Sequence, residues 1–327
     1  MSREIVVGAA QLGPIARDEP RSSAIGRMIA LLEKAAARGC QLVVFPELAL
    51  TTFFPRWFME EQSEIDSFFE DEMPNAAAQP LFDRARELRI GFYLGYAERT
   101  LLGGRMHRYN TAIIVDRCGS IVGRYRKVHL PGHREPEPWR AFQHLEKRYF
   151  EPGENYFDPI EAFGGRVAMA ICNDRRWPEI YREAALRGSE MILLGYNTPV
   201  HYPPAPEHDH LQCFHNHLVM QAGAYQNGIW VVGVAKAGRE EGCDLIGQSC
   251  VIAPTGEIVA MCSTLGDELA TYACDFDRCH EIRKNVFNFQ HHRRPEMYPL
   301  LSAISPKPDM KESRVMTPAL RGGSWPP

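Results

Sequence analysis

Apolar residues along the chain fall into short blocks separated by longer amphipathic ones. Residues 5–10 form a short apolar run rich in β-branched side chains, which predicts a buried strand. Between residues 22 and 37 the apolar positions Ile25, Met28, Ile29, Leu32 and Ala36 keep helical spacing, and Gly39 supplies a C-terminal stop. Leu42-Val43-Val44-Phe45 is a second buried strand, ended by Pro46. Residues 60–74 are acidic and aperiodic and read as a surface excursion. Residues 81–88 predict a helix. Residues 90–97, 109–115 and 121–125 predict strands, with Arg117-Cys118-Gly119-Ser120 as a hairpin turn between the last two.

Residues 129–163 carry many Pro, His and aromatic side chains and little periodicity. A loop of that length inside a compact domain is usually functional. Beyond it the opening pattern recurs. Residues 166–171 predict a strand, 178–187 a helix closed by Gly188, and 191–194 a strand. A helix over 211–226 and a strand over 229–235 follow. Residues 250–253 and 257–260 flank a hairpin turn at Pro254-Thr255-Gly256, and residues 269–276 close the sheet region. Strand–helix–strand units that occur twice, with hairpins mixed in, predict an α/β fold of two mixed sheets, each covered by helices on one face. From residue 305 onward Pro, Lys, Ser and Gly dominate, which predicts a poorly ordered tail over 305–327.

Composition narrows the class. The 327 residues are 45% hydrophobic and 24% charged, so the chain can bury a core without disulfides or a structural metal. A formal net charge of −4 without a basic stripe argues against nucleic-acid binding. No apolar run reaches the length of a membrane span, and the N-terminus has no signal-peptide h-region. Nine scattered cysteines, none in C-x-x-C spacing, read as free thiols in a reducing, cytosolic setting.

Three motifs place a reactive side chain just past a buried strand: Val43-Val44-Phe45-Pro46-Glu47, Gly123-Arg124-Tyr125-Arg126-Lys127 and Val167-Ala168-Met169-Ala170-Ile171-Cys172-Asn173. Sites in α/β proteins gather at the carboxyl ends of strands. A carboxylate, an ammonium and a thiol converging there suit attack on an amide or ureido carbon, a poor electrophile. The thiol is the nucleophile, but its ordinary pKa leaves little thiolate at neutral pH. Glu47 can take the proton of Cys172 and return it to the leaving amine. Lys127 and the backbone N–H of Asn173 can hold the oxyanion, at about 3–4 kcal/mol per donor. Each residue also has an ordinary reading: an inert buried thiol, a solvated glutamate, an exposed basic strand edge. Their joint occurrence in one order is what favours chemistry.

Arg175 and Arg176 admit two readings. Adjacent arginines before a Pro-initiated helix are normally solvated. Three and four residues past the nucleophile, they could instead bind a substrate carboxylate through the guanidinium fork. Asn197 and Thr198 could add polar contacts at the same rim. A rival constellation, His208-Asp209-His210 with His215 and His217, would make a metal-dependent amidohydrolase. A catalytically silent binding scaffold is a third class, opposed by the intact trio.

In these contexts the three motifs resemble the Glu–Lys–Cys triad of the nitrilase superfamily over roughly residues 4–290. Ile171-Cys172-Asn173-Asp174-Arg175-Arg176-Trp177-Pro178-Glu179 and His144-Leu145-Glu146-Lys147-Arg148-Tyr149-Phe150-Glu151-Pro152-Gly153 are similar to the N-carbamoyl-D-amino acid hydrolase branch. The resemblance implies a four-layer αββα sandwich within residues 1–304, a homodimer or homotetramer, no cofactor, and hydrolysis of a small N-carbamoyl amino acid. An aliphatic amidase or another nitrilase-like amidohydrolase is the alternative. It further implies Glu146 as a carboxylate orienting Lys127 or the substrate nitrogen, with His129 and His144 contacting or supporting the substrate.

Overall fold

The computed structural model describes residues 3–154 and 157–303. In chain order the first half runs β1 (Glu4–Gln11), α1 (Arg21–Ala37), β2 (Leu42–Val44), α2 (Gln62–Asp66), α3 (Gln79–Leu88), β3 (Gly91–Leu102), β4 (Arg105–Val115), β5 (Ile121–Arg126) and α4 (Glu146–Tyr149). The second half runs β6 (Ile160–Ala162), β7 (Gly165–Ile171), α5 (Pro178–Leu186), β8 (Met191–Tyr196), α6 (Gln212–Asn227), β9 (Trp230–Ala235), β10 (Ala237–Glu240), β11 (Cys243–Ile246), β12 (Cys250–Ile252), β13 (Ile258–Met261), β14 (Glu268–Asp275) and α7 (Asp277–Asn285). These elements belong to one compact unit, Met1–Phe287. A second unit, Asn288–Pro327, contains short helices at Phe289–His292 and Leu300–Ala303. The tail expected over 305–327 lies outside the described residues.

Two six-stranded sheets have matching plans. One has the order β14-β1-β2-β3-β4-β5, the other β13-β12-β9-β8-β7-β6. In each, three parallel strands form the centre (β1, β2, β3 and β7, β8, β9), and antiparallel strands finish the edges. The sheets face each other, with β2 and β3 against β8 and β4 against β7. Helices α1 and α3 cover the outer face of the first sheet, and α6, packed against α5, covers the second. The result is the four-layer αββα sandwich.

The apolar spacing of α1 is read correctly in period and displaced slightly in phase. Ile25, Met28 and Leu32 are buried as expected, joined by Leu31 and Ala35, while Ile29 and Ala36 are only half-buried. Gly39 ends the helix at φ 75°, a conformation that costs glycine nothing.

Two segments differ from the sequence reading. Residues 60–74 are not a plain surface excursion. Ile65, Phe68 and Phe69 are buried with Phe54, Tyr149 and Phe150 in a separate apolar cluster, and Asp66 accepts from both Arg99 and Arg108. The acidic composition concealed this, because its charges are used in ion pairs. The sequence pattern does not predict strands β10 and β11. Ala-Gly-Arg-Glu has no strand-like alternation, and the hairpin depends on left-handed Glu241 and Gly242 (φ 49° and 81°).

Candidate active site

One parallel strand in each sheet ends in a sharp turn. β2 leads through Phe45 and Pro46 to Glu47, and the next residue, Leu48, has φ 46°. β7 leads directly to Cys172, also at φ 46°, the first residue of a short 3₁₀ turn through Arg176. A left-handed non-glycine residue costs about 1–3 kcal/mol and is held only where the surroundings dictate it.

The surroundings of Glu47 are tight. A Cβ on Gly95 of β3 would lie 2.8 Å from Glu47 Cα, and one on Gly195 of β8 would lie 2.6 Å from Glu47 N. One glycine from each sheet therefore lets the Glu47 backbone pass between them. Beneath it, Tyr93 of β3 ties the sheets together. Its hydroxyl donates to Ala170 O at 2.9 Å and accepts from Gly195 N at 3.2 Å.

The carboxylate of Glu47 is fully buried and accepts three hydrogen bonds. Oε1 takes Asn110 Nδ2 at 2.7 Å and Lys127 Nζ at 2.8 Å, and Oε2 takes Asn197 N at 3.0 Å. Lys127 also donates to Glu146 Oε2 at 2.6 Å, and His144 Nε2 meets Glu146 Oε1 at 3.2 Å. Lys127 and Glu146 are equally buried. Two carboxylates share one ammonium, and their proton affinities diverge. For Glu47, burial and the charge of Glu146 raise the pKa against the pull of Lys127 and Asn110. Glu146 also suffers burial, but Lys127 and His144 outweigh it and hold the carboxyl below its usual range. Burial disfavours the Lys127 ammonium, yet Cys172, Glu146 and Glu47 together raise its pKa. Such a pair separates an ionised partner from a carboxylate able to exchange a proton.

Cys172 lies beside this group, 5% exposed, with Sγ 3.7 Å from Asn197 O. Burial, then Glu47, push its thiol up to about 11, against Lys127 and Arg175. Little thiolate exists at neutral pH, so reactivity requires a base.

The two arginines are placed differently. Arg175 is 1% exposed, which excludes the solvated reading for it. Its guanidinium donates to Cys172 O (2.7 Å), Asn216 Oδ1 (2.8 Å) and Thr198 Oγ1 (2.7 Å), and lies over the Tyr196 ring. Arg176 is exposed, and no carboxylate pairs with it among the described residues. Its pKa is lowered by desolvation and by Arg175. A small cavity of about 200 Å³ opens between the two arginines, His215, Asn216, Leu218 and Val219. A larger one of about 820 Å³, lined by Arg3, Gly165, Gly188 and α7 residues, lies at the opposite ends of β7 and β8 and contains none of these groups.

Asn197 and Thr198 face inward rather than standing at an open rim. Asn197 Nδ2 donates to Glu47 O at 2.9 Å, and Thr198 holds Arg175. Asn173 is half-buried, its Nδ2 on His129 O at 3.2 Å. His129 stacks on Trp177, with Nδ1 2.7 Å from Asp174 Oδ1. Sequence reasoning missed Asp174, which is fully buried. It also accepts from His129 N, Tyr125 Oη and Ile171 N, and so links β5 to the Cys172 turn. Asn110, Tyr93 and the two glycines were missed as well. A polar Asn in the apolar strand Tyr109–Val115 was the available signal for the first. The rival histidine cluster disperses. His201 pairs with Asp209, the His208 and His215 rings meet edge-on, and His217 reaches Gln248 O. Among the described residues no three His, Cys, Asp or Glu side chains are placed to hold one metal ion.

Comparison with known proteins gives the same picture. The crystal structure of a carbon-nitrogen hydrolase from Helicobacter pylori G27 superimposes with a TM-score of 0.78 at 24% identity, covering 93% of this chain and 99% of that one. A nitrilase of Pyrococcus abyssi is 28% identical over 82% of this chain and 89% of its own length. The N-carbamoylputrescine amidase of Arabidopsis thaliana is 26% identical over 91% of this chain and 95% of its own length. Residues 6–284, which carry both sheets and every side chain of the buried group, match the family model for carbon-nitrogen hydrolases, and the chain belongs to that family, within the nitrilase superfamily.

Proposed function

We propose that this amidohydrolase converts N-carbamoyl-D-amino acids to D-amino acid, ammonia and carbon dioxide. The observation that supports this reading most is Arg176, an exposed residue whose guanidinium has no acidic partner among the described residues, four positions past the buried thiol. The scissile carbamoyl carbon and the α-carboxylate of such a substrate are separated only by N and Cα. A carboxylate on Arg176 would therefore set how the carbamoyl carbon faces Cys172 Sγ. Arg175, its donors already engaged, serves in this reading to hold the Cys172 turn. The Arabidopsis relative, an N-carbamoylputrescine amidase by name, favours a carbamoyl group over a nitrile. The D preference rests on the likeness of residues 144–153 and 171–179 to the N-carbamoyl-D-amino acid hydrolase branch.

In the reaction, Glu47 takes the thiol proton as Cys172 Sγ attacks the carbamoyl carbon. Lys127 Nζ and the Asn173 backbone N–H hold the oxyanion. Protonated Glu47 gives its proton to the departing ammonia, and the carbamoyl carbon stays on sulfur as a thioester. Glu47 then removes a proton from water, which attacks the same carbon. The thiol leaves, regaining its proton, and the N-carboxy product falls apart to carbon dioxide and the free amino acid. Glu146 keeps Lys127 charged and oriented throughout. The reading includes a cytosolic homodimer or homotetramer, with exposed Leu186, Phe214, Leu218 and Tyr225 of α5 and α6 as an apolar face.

The test is a substrate panel of N-carbamoyl-D- and L-amino acids, simple aliphatic amides and nitriles, with ammonia release as the readout. Turnover of the D-carbamoyl compounds at least about tenfold above the others is expected, a margin near 1.4 kcal/mol. Preference for aliphatic amides would make the chain an aliphatic amidase instead.

A further inference from the structure

A second group of buried charges is fastened to the segment that follows Glu47 and has no part in the chemistry above. Lys236, between β9 and β10, and Glu240, at the end of β10, are both fully buried, and Arg56 is 4% exposed. Lys236 Nζ donates to Thr51 O at 2.5 Å and reaches Glu240 Oε2 at 3.2 Å. Glu240 Oε1 accepts from Arg56 Nη1 at 3.0 Å and from Phe53 N at 2.8 Å, and Oε2 accepts from Ile15 N at 3.1 Å.

These bonds grip the segment that runs on from Glu47. Thr51, Phe53 and Arg56 all follow the left-handed Leu48. That segment in turn sets the register of the chain carrying Glu146. Leu145 N donates to Pro55 O at 2.8 Å, and Gln143 N donates to Arg56 O at 3.1 Å. The group is thus fastened to the backbone on the way to both site carboxylates, although it touches neither.

Its charge complements theirs. Glu47 and Glu146 against Lys127 leave one negative charge in excess. Lys236 and Arg56 against Glu240 leave one positive charge in excess. In a water-excluded interior such an imbalance is costly unless its opposite is near. We propose that the Arg56–Glu240–Lys236 group is the counter-charge and clamp of the site, positioning residues whose net positive charge keeps Glu47 able to ionise beside Glu146. The inference rests on the reading of Glu47 as the base.

The charged and titratable groups that act on Glu47 come from several elements: Lys127 after β5, Glu146 of α4, Cys172 after β7, and Tyr93 of β3. Lys236 is acted on by Glu240 and Arg56 and, in the same direction as Glu240, by Glu47 itself. Burial lowers the pKa of Lys236, and the two carboxylates oppose that loss of charge. Glu240 is also buried, but Lys236 and Arg56 hold its carboxyl below the usual range.

The sign of the effect follows. Removing the Lys236 ammonium removes a charge that favours Glu47 as carboxylate, so Glu47 must protonate at higher pH. Lys236→Met leaves Arg56 and Glu240 as a neutral pair. The double variant Lys236→Met/Glu240→Gln leaves Arg56 alone and restores the single positive charge. Two readouts apply: the acid limb of kcat/KM, and infrared titration of the protonated-carboxyl band that disappears in Glu47→Gln. The second reads the Glu47 carboxyl directly. We expect Lys236→Met to move both midpoints up by about half a pH unit or more, and the double variant to return them to the wild-type values. Lys236→Gln, which keeps a donor towards Thr51 O, should show the same upward shift should the Met variant fold poorly. No shift in a folded Lys236 variant, or an equal shift in the double variant, would overturn the proposal. Loss of the parent reading has a different signature, full activity in Glu47→Gln.

Discussion

The two sheets meet at the site with the same backbone device and opposite environments. Each ends a central parallel strand in a residue at φ 46°, Leu48 behind Glu47 in one and Cys172 in the other. On the first sheet's side, Glu47, Lys127 and Glu146 are all fully buried. On the second sheet's side, the chain goes from buried Cys172 through half-buried Asn173 to exposed Arg176 within five residues. Proton affinities can be shifted far only where water is excluded. Substrate can enter only where it is not. In the proposed reaction this is a division of labour: one sheet supplies proton chemistry and the other supplies the nucleophile and recognition.

The most severe test of that division is to disable each side in turn. Cys172→Ala should abolish turnover and leave circular dichroism and thermal melting unchanged. Glu47→Gln should lower kcat about 10²–10⁴-fold, the range for loss of a general base. A Glu47→Gln enzyme with nearly normal kcat would mean that proton transfer is not confined to the first sheet's side.

A smaller effect is expected from the recognition side. Arg176→Ala should lower kcat/KM on N-carbamoyl amino acids about tenfold or more, since a charge-assisted hydrogen bond contributes about 1.5–3 kcal/mol. Substrates with a neutral amide in place of the carboxylate should be indifferent to the change. Arg175→Ala should behave otherwise and lower the melting temperature too, because it strands Asn216 and Thr198. Equal kinetic losses on charged and neutral substrates in Arg176→Ala would remove the distinction between the two arginines.

Least dramatic is a shape on a pH axis. With the thiol pushed up to about 11 by burial and by Glu47, alkylation of Cys172 by iodoacetamide should keep accelerating above pH 9. A plateau near the ordinary thiol value of about 8.5 would mean that Lys127 and Arg175 fully offset burial and Glu47.

Legibility in the sequence divided along similar lines. Strands such as residues 166–171 and the helix α1 announced themselves, because burial on one face imposes a period on neighbouring residues. The trio Glu47, Lys127 and Cys172 was legible because each follows such a strand. Asn110, Asp174 and Tyr93 were not, since their importance lies in partners 63, 45 and 77 positions away in the chain. The cluster of Ile65, Phe68 and Phe69 was hidden for a related reason. Acidic neighbours masked its apolar side, and the arginines that neutralise Asp66 come from strands β3 and β4. Arg175 and Arg176 were indistinguishable in sequence, and only packing against Tyr196, Asn216 and Thr198 separates them.

The glycines on either side of Glu47 limit how this scaffold can diversify. A side chain of any kind at Gly95 or Gly195 would collide with the backbone of Glu47 at 2.8 or 2.6 Å. Substitution there cannot nudge the carboxylate in graded steps; it can only displace the loop. Descent with modification, natural or in a laboratory library, is therefore steered away from the floor of the site. It is left to exposed positions such as Arg176 and, on α6, Leu218, where one residue can change without moving another.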